Sequence, residues 1–263
     1  MAYDIIGSIA IIKSEERGEI KTKLQKLKEA KELLKKSQIK TVLEKITEVK
    51  GRLRTFKTKY LHGKRTLITS HKENNCLFKL NVETCYFSPR MGNDRKEVAN
   101  KIKKKDEVLV MFAGIGGYPI VIYKIANPKK ITAIEISKEC NKYFKENIKL
   151  NKIPSDKINL IQGDVKKKIT KKALKEFGKF DVIVMPRPNL RETFLEQALK
   201  VSKRGTKIFY HLFSKKDELK EQLKKLENEA IKLKRKIKIV NIIKSGEIAP
   251  YKFRYRVEMN VMK

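Results

Sequence analysis

The stretch from Val108 to Phe213 most constrains the fold, because short apolar runs alternate there with longer segments of helical periodicity. The apolar runs predict strands at Val108–Phe112, Ile131–Ile136, Ile158–Gln162, Phe180–Met185 and Lys207–Phe213. The segments between them predict helices at Gly117–Ala126, Lys138–Leu150, Lys166–Phe177 and Arg191–Ser202. Strands that alternate with amphipathic helices are typical of a parallel, doubly wound α/β sheet. After it, a helix over Lys215–Leu233 and strands at Ile237–Ile243 and Phe253–Met262 predict an antiparallel edge.

The residues before this region have a different pattern. Tyr3–Lys13 predicts two short strands separated by a glycine, and Thr66–Phe87 alternates as strands do. Apolar residues from Ile20 to Glu48 recur at helical spacing, with a break at Ser37–Gln38 that divides the segment into two helices. We therefore predict a small α+β domain over residues 1–93 and a second domain over residues 94–263.

The charge of the chain narrows the class of partner. Lys and Arg number 64 against 30 Asp and Glu, a formal net charge of +34, and such an excess attracts polyanions such as nucleic acid. The alternative is a lysine-rich, heat-adapted protein whose lysines cover solvated faces. No apolar run approaches the roughly 18 residues of a membrane span, and the N-terminus lacks a signal-peptide pattern. The three scattered cysteines predict neither a disulfide framework nor a zinc site, so we expect a cytoplasmic protein that needs no metal.

A glycine-rich turn follows the first strand of the predicted sheet. It reads Met111-Phe112-Ala113-Gly114-Ile115-Gly116-Gly117, and its glycines let the backbone approach a ligand before the next helix begins. We expect ligand contacts from Phe112, Ala113, Gly114 and Gly116.

Acidic residues end the next two strands. Glu135, followed by Ile136, is placed to accept hydrogen bonds from the ribose hydroxyls of a nucleoside cofactor. Asp164, followed by Val165, is placed to accept one from an adenine amino group. A dinucleotide-dependent enzyme competes with this interpretation. The incomplete G-x-G-x-x-G pattern and the closing pair of strands favour S-adenosylmethionine instead.

Longer motifs cover essentially the whole chain: YDIIGSIAII, EVKG, RTLITSHKEN, YFSPR, MFAGIG, KENIKLN, IVMPRPNLRETFLEQAL and SGEIAPYKFRY. Together they resemble one family, the archaeal and eukaryotic tRNA (guanine-37-N1)-methyltransferases. It implies a Rossmann-like class I methyltransferase sheet, S-adenosylmethionine as cofactor and the anticodon loop of tRNA as substrate. It also implies a short form, because larger members have a further domain before the YDIIG segment. With no obligate protein partner evident, we expect a monomer.

The resemblance also implies roles for particular residues. Tyr86 and Arg90 of the YFSPR segment correspond to the entry of the family's active site. Asp94 stands where the family usually has a glutamate that acts as general base, and Arg54 resembles the arginine that supports the guanine O6. Otherwise, Asp94 would cap a helix and Arg54 would contact a phosphate.

The chemistry needs such a pair of groups. Guanine N1 carries a proton at neutral pH, so a carboxylate must remove that proton while the methyl group is transferred. A cation near O6 then stabilises the negative charge that develops there.

The fourth motif departs from the family. Its usual Asn-Leu-Pro is replaced by Pro186-Arg187-Pro188 after Met185. Met185 and Pro186 remain expected cofactor contacts, and Arg187 is placed to meet a phosphate. The departure leaves room for a broader substrate, such as the tricyclic wyosine precursor at the same tRNA position.

The basic segment from Gly51 to Arg65 is expected to hold RNA, together with the lysine-rich helical stretch before it. Phe56 and Tyr60 are candidates for stacking on an unpaired base, or else for the core. Two other functions stay open. One is aminocarboxypropyl transfer in the wybutosine pathway, which uses a similar MFAGIG core. The other is RNA binding without catalysis on the same scaffold.

Overall fold

The computed structural model describes residues 3–16, 19–49, 51–170, 178–187, 190 and 192–262. The chain divides into two compact units. The first contains Met1–Gly92, Gly114–Gly116 and Glu139–Lys152, and the second contains Asn93–Ala113, Gly117–Lys138 and Ile153–Lys263. The predicted division into residues 1–93 and 94–263 stays a prediction.

The first unit is built on a four-stranded sheet. Its elements are β1 (Tyr3–Ile6), β2 (Ile9–Lys13), β3 (Glu15–Glu16), β4 (Glu19–Ile20), α1 (Lys23–Leu34), β5 (Thr41–Lys45), β6 (Thr58–Gly63), β7 (Ile68–Glu73) and β8 (Cys76–Asn81). The strand order is β1-β2-β5-β6, and β7 and β8 form a separate antiparallel pair. Helix α1 begins at a capping box in which Thr22 and Gln25 exchange hydrogen bonds. Its residues Ala30 and Leu33 form a core with Ala10, Ile12 and Val42 of the sheet.

The second helix predicted before residue 48 is wrong. Residues Thr41–Lys45 form strand β5, which pairs in parallel with β2 and antiparallel with β6. Thr41, Val42 and Leu43 are all buried, so both faces of this strand are covered by other parts of the protein. A short apolar run buried in this way has no period of two and is easily mistaken for a helix.

The second unit is dominated by a seven-stranded sheet. After a 3-10 turn at Pro89–Met91, the remaining elements of the chain are α2 (Gly92–Asn100), β9 (Glu107–Met111), α3 (Gly117–Ala126), β10 (Lys130–Glu135), α4 (Lys138–Leu150), β11 (Ile158–Gln162), α5 (Val165–Lys168), β12 (Phe180–Met185), α6 (Leu195–Lys200), β13 (Ser202–Lys215), α7 (Leu219–Lys232), β14 (Ile237–Ala249) and β15 (Lys252–Val261). The strand order is β11-β10-β9-β12-β13-β15-β14. Strands β9 to β13 are parallel, and β15 runs antiparallel to both of its neighbours, β13 and β14, which confirms the predicted fold class.

Strand β9 occupies the position at which ligands bind in such sheets. The chain leaves β9 toward β10 and β11 on one side, and it later adds β12 and β13 on the other. The strand order therefore reverses beside β9, and open α/β sheets bind ligands outside the carboxyl ends of the strands at this point.

Two predicted helices are shorter among the described residues. The prediction over Lys166–Phe177 meets helix α5, which spans Val165–Lys168, while residues 171–177 lie outside the described part. The prediction over Arg191–Ser202 meets helix α6, which spans Leu195–Lys200.

In the first unit, two asparagines of the KENIKLN motif bind the backbone of β8. Asn147 accepts from the Lys79 N–H over 2.7 Å and donates to the Lys79 carbonyl over 3.1 Å. Asn151 accepts from the Leu77 N–H over 2.9 Å and donates to the Leu77 carbonyl over 2.7 Å. The two asparagines are four residues apart, a helical rise of about 6 Å, and their partners are two strand residues apart, about 6.6 Å. The two spacings therefore match.

Candidate active site

The turn after β9 has an unusual backbone. Phe112 adopts a φ of 58°, a left-handed conformation that is uncommon for a residue with a side chain. The Phe112 ring packs edge-on against the Phe194 ring, with 4.9 Å between the ring centres. The next residue, Ala113, donates its N–H to the Ile134 carbonyl over 3.0 Å. Backbone strain of this kind persists where surrounding contacts hold it and clusters at ligand sites.

Glycine at position 114 keeps space open above the turn. Gly114 and Gly116 have φ values of 57° and 95°. A side chain built on Gly114 would meet only the Tyr86 carbonyl oxygen, at 3.9 Å, within the first unit. A ligand can therefore approach this backbone closely, as a nucleoside cofactor requires.

The acids that end β10 and β11 lie on adjacent strands of the second unit. Glu135 is buried, and its carboxylate accepts the Ser137 N–H over 2.7 Å. Its carbonyl accepts the Gly163 N–H over 2.8 Å, which joins the two strand ends. Asp164 caps α5 by accepting the Lys166 N–H over 2.9 Å. Both carboxylates thus lie at the carboxyl ends of adjacent parallel strands, where open α/β sheets bind nucleoside ligands.

The remaining predicted contacts of this unit flank those acids. Ala113, Val165 and Met185 are buried, whereas Phe112, Ile136 and Pro186 are partly exposed. Met185 ends β12, directly beside the residues that end β9. The second unit thus brings the predicted contacts at the ends of β9, β10, β11 and β12 to one edge of its sheet.

Arg187 lies inside the protein and is not placed to meet a phosphate. It is 5% exposed, and its guanidinium donates to the carbonyls of Leu190, Glu192 and His211. These bonds attach the segment after β12 to strand β13. In the described structure, Arg187 therefore holds the loop after β12 in place through backbone hydrogen bonds.

In the first unit the structure brings Arg54 and Tyr86 together. The Arg54 guanidinium lies 3.8 Å from the centre of the Tyr86 ring, a cation–π contact. Arg54 has a φ of 57°, so the loop presents this side chain from a left-handed position. Arg90 is exposed and pairs with Asp4 over 2.7 Å.

Asp94 lies in the first turn of α2 and is 5% exposed. Its Oδ1 accepts from Nη1 of Arg256 over 2.7 Å. Its Oδ2 accepts from the Tyr118 hydroxyl and lies 3.1 Å from Nε2 of His211. The carboxylate is therefore held by three side chains from α3, β13 and β15 of the same unit.

These contacts fix the protonation of the group. Burial alone would raise the pKa of Asp94, but the contacts with His211 and Tyr118 and the charge of Arg256 lower it well below its usual range. Burial lowers the pKa of His211 from its ordinary 6.5, against the opposing effect of Asp94. Burial and the adjacent carboxylate raise the pKa of Tyr118. Near neutral pH we therefore expect an ionised Asp94 beside a neutral His211.

The motifs in the sequence did not indicate that His211, Tyr118 and Arg256 belong to this cluster. One signal was available for Arg256, because charged Arg254, Arg256 and Glu258 alternate with apolar residues in a strand that has neighbours on both sides. Such a polar row needs partners from another element. In the structure, α2 supplies Asp94 and Glu97, and Lys101 directly after the helix supplies the third partner.

Within the described residues, no three His, Cys, Asp or Glu side chains form a group that could hold a metal ion. The helices of the same residues are too short or too polar to cross a membrane.

Comparison with known proteins decides the family. The family model of the TRM5/TYW2 methyltransferase domain matches residues 69–240. The chain belongs to this family. As a member of the TRM5/TYW2 family, it is 31% identical to "tRNA (guanine(37)-N(1))/4-demethylwyosine(37)-methyltransferase Taw22" of Nanoarchaeum equitans, in an alignment of 307 positions that covers 98% of this chain and 99% of that protein.

Other similar proteins include both Trm5 and TYW2 members of the family. The chain is 32% identical to "tRNA (guanine(37)-N(1))-methyltransferase Trm5b" of Methanocaldococcus jannaschii, with 82% of this chain matched, and spans 60% of that protein's length. The crystal structure of Trm5b from Pyrococcus abyssi superposes with a TM-score of 0.83 at 28% identity, covering 100% of this chain and 75% of that one. The structure of M. jannaschii TYW2 in complex with AdoMet gives 0.73 at 26% identity and covers both chains completely.

Proposed function

We propose that this TRM5/TYW2 family member transfers a methyl group from S-adenosylmethionine to N1 of guanosine 37 in the anticodon loop of tRNA. The observation that carries the proposal is the strained glycine-rich turn after β9, with Glu135 and Asp164 at the ends of the next two strands. The near full-length similarity to a relative named for this reaction supports it.

The cofactor is held by backbone and carboxylate groups. The turn from Phe112 to Gly116 supplies a backbone that a ligand approaches closely, Glu135 accepts from the ribose hydroxyls, and Asp164 accepts from the adenine amino group. Tyr86, Arg90, Ile136, Val165, Met185 and Pro186 complete the proposed contacts. When bound, S-adenosylmethionine supplies an electrophilic methyl group.

Asp94 and Arg54 act on the base. Asp94 is ionised and accepts the N1 proton, so that the N1 electron pair becomes available to the methyl group. Arg54 is a permanent cation, already oriented by the Tyr86 ring, and stabilises the charge that moves to O6.

A second substrate is supported by a specific observation. The N. equitans relative is named for 4-demethylwyosine(37) as well as guanine(37). Pro186 offers no side-chain hydrogen bond after β12, so the loop is less committed to the edge of one particular base. We propose that the tricyclic precursor is also methylated.

The tRNA is held by exposed basic residues of the first unit. Arg52, Lys57, Lys59, Lys64 and Arg65 are exposed in the segment around β6. Tyr60 lies under the Arg65 guanidinium at 4.8 Å, and Phe56 lies near Lys45 at 5.8 Å. These partly buried rings already have a cation on one face, so we assign phosphate contacts to the cations and base stacking to the face of Tyr60 opposite Arg65.

The test uses two labels on the cofactor. Purified protein is incubated with S-adenosylmethionine labelled either in the methyl group or in the aminocarboxypropyl chain. The substrates are matched tRNAs with G37, A37 or 4-demethylwyosine at position 37. Nucleosides are identified by mass after digestion, and Glu135→Ala serves as the control without cofactor binding.

We expect methyl label in 1-methylguanosine from the G37 tRNA and in the methylated wyosine derivative from the 4-demethylwyosine tRNA. The A37 tRNA should receive no label. Transfer of the aminocarboxypropyl label would overturn the proposal in favour of the sister reaction. Binding of tRNA without transfer of either label would indicate an RNA-binding protein on this scaffold.

A further inference from the structure

Three protonatable side chains form a continuous buried chain in the second unit. The Tyr118 hydroxyl donates to Oδ2 of Asp94 and lies 3.3 Å from Nε2 of His211. That nitrogen is itself 3.1 Å from Oδ2. A proton that reaches Asp94 therefore has a path to His211, either directly or through the tyrosine hydroxyl.

His211 lies at the edge of the sheet where the reaction is proposed to occur. It follows Tyr210, which pairs with Met185 at the end of β12, and it is 3% exposed. The groups that face it are Asp94 from α2, Tyr118 from α3, Arg254 and Arg256 from β15, and Arg187, which donates to its carbonyl. Burial and the charges of Arg254 and Arg256 lower the pKa of His211 and favour a neutral imidazole in the resting enzyme, against the opposing effect of Asp94.

Asp94 alone is a poor place to leave the proton. Its Oδ1 is bound to a guanidinium that is itself completely buried. Protonation of the carboxylate would leave this arginine with a weaker partner in a low-dielectric environment. A neutral imidazole within hydrogen-bonding distance can take the proton and restore the carboxylate.

We propose that His211 is the proton-storing partner of Asp94 in methyl transfer. The inference rests on the proposed function of Asp94. The N1–H bond of the guanine breaks, its electron pair forms the N–methyl bond, and the C–S electron pair stays on sulfur. The proton passes from Asp94 to Nε2 of His211, which leaves an imidazolium beside a carboxylate. The neutral ring therefore carries its proton on Nδ1 before the reaction. His211 acts through Asp94 and is a positioning residue.

The test is the pH dependence of single-turnover methyl transfer at saturating cofactor and tRNA. The rate constant of the wild-type protein is measured between pH 5 and 8 and compared with those of His211→Gln and Tyr118→Phe. Glutamine keeps a hydrogen-bonding side chain but cannot hold a proton. Cofactor affinity and the melting temperature are measured for each variant.

We expect the wild-type rate constant to fall as pH drops below about 6.5, because a protonated His211 cannot accept. His211→Gln should be at least about tenfold slower at pH 7.5, and its rate constant should no longer show this fall at low pH, the acid limb of the profile. Tyr118→Phe should be slower but keep the limb, since the direct path remains. A His211→Gln profile parallel to the wild-type one would show a purely structural role and overturn the inference, while product from the wild type would leave the proposed function standing.

A second measurement covers the case in which His211→Gln does not fold. The chain has 3 histidines, so their ring protons can be assigned by nuclear magnetic resonance with His62→Gln and His71→Gln. We expect His211 to titrate below 6.5, and at still lower pH in Asp94→Asn, because the carboxylate that favours its protonation is lost. A His211 signal that does not titrate down to pH 5 would also overturn the inference.

Discussion

Arg256 donates to Asp94 over 2.7 Å in a part of the second unit where neither side chain is more than 5% exposed. The same guanidinium donates to Glu97 over 2.7 Å and to Glu258 over 3.1 Å. One cation thus joins three carboxylates and attaches helix α2 to strand β15. The proposed general base is therefore also part of the packing of this unit.

Replacement of Arg256 by methionine should destabilise the protein strongly. It leaves Asp94, Glu97 and Glu258 close together without their shared cation, and removal of one partner of a buried ion pair costs about 3–5 kcal/mol. Urea unfolding at pH 7 measures the change in the free energy of unfolding. The matched control is Lys129→Met, which removes an exposed cation paired with Glu107 and should change that free energy far less. Equal losses in the two variants would contradict the energetic role of the buried cluster.

The contribution of Asp94 to stability should depend on pH. Its pKa is lowered in the folded protein, so its contribution is fully present above the unfolded value of about 3.9 and is lost as pH falls through the folded value. The difference in unfolding free energy between the wild type and Asp94→Asn should therefore shrink as pH falls below about 4. Denaturant unfolding of both proteins at each pH checks this. A difference that grew as pH fell below about 4 would mean that the folded pKa of Asp94 is raised.

Loss of the Arg54 side chain should slow methyl transfer without weakening cofactor binding. Arg54→Ala removes the cation proposed for O6, and removal of one group that stabilises developing charge typically costs about 10²–10³ in rate. Arg54→Lys keeps the charge but loses the planar contact with Tyr86, so its rate should be intermediate. Arg204→Ala, which removes the same charge from an exposed position of β13, is the control at saturating tRNA. The role of Arg54 would be refuted by a wild-type rate constant in Arg54→Ala.

Glu135→Gln should weaken S-adenosylmethionine about tenfold, because hydrogen bonds to a charged acceptor are stronger than those to a neutral one. Glutamine retains an oxygen for the Ser137 N–H, so the strand end should keep its conformation. Isothermal titration of the cofactor measures the affinity, with Glu221→Gln on the exposed side of α7 as control. If both variants bound as the wild type does, the ribose contact would have to be assigned elsewhere.

The sequence predicted the parts of this protein that depend on local patterns. The alternation after Val108 led to the doubly wound sheet and its antiparallel edge, and the glycine-rich turn marked its ligand edge. The pattern failed at β5, where Thr41–Lys45 is a short strand buried on both faces. The sequence pattern could not show that Asp94 contacts Arg256, because the two residues are 162 positions apart. They become neighbours only when α2 packs against β15.

The asparagines of the KENIKLN motif have a consequence for the behaviour of the protein in concentrated solution. A two-stranded ribbon such as β7 and β8 has free backbone groups along its outer sides, and such edges recruit strands of other molecules. Asn147 and Asn151 occupy the N–H and carbonyl groups of Lys79 and Leu77 with side-chain amides. Helix α4 and Asn151 directly after it thereby take the place of a third strand while offering no further strand edge, so these backbone groups of β8 are unavailable to strands of other molecules.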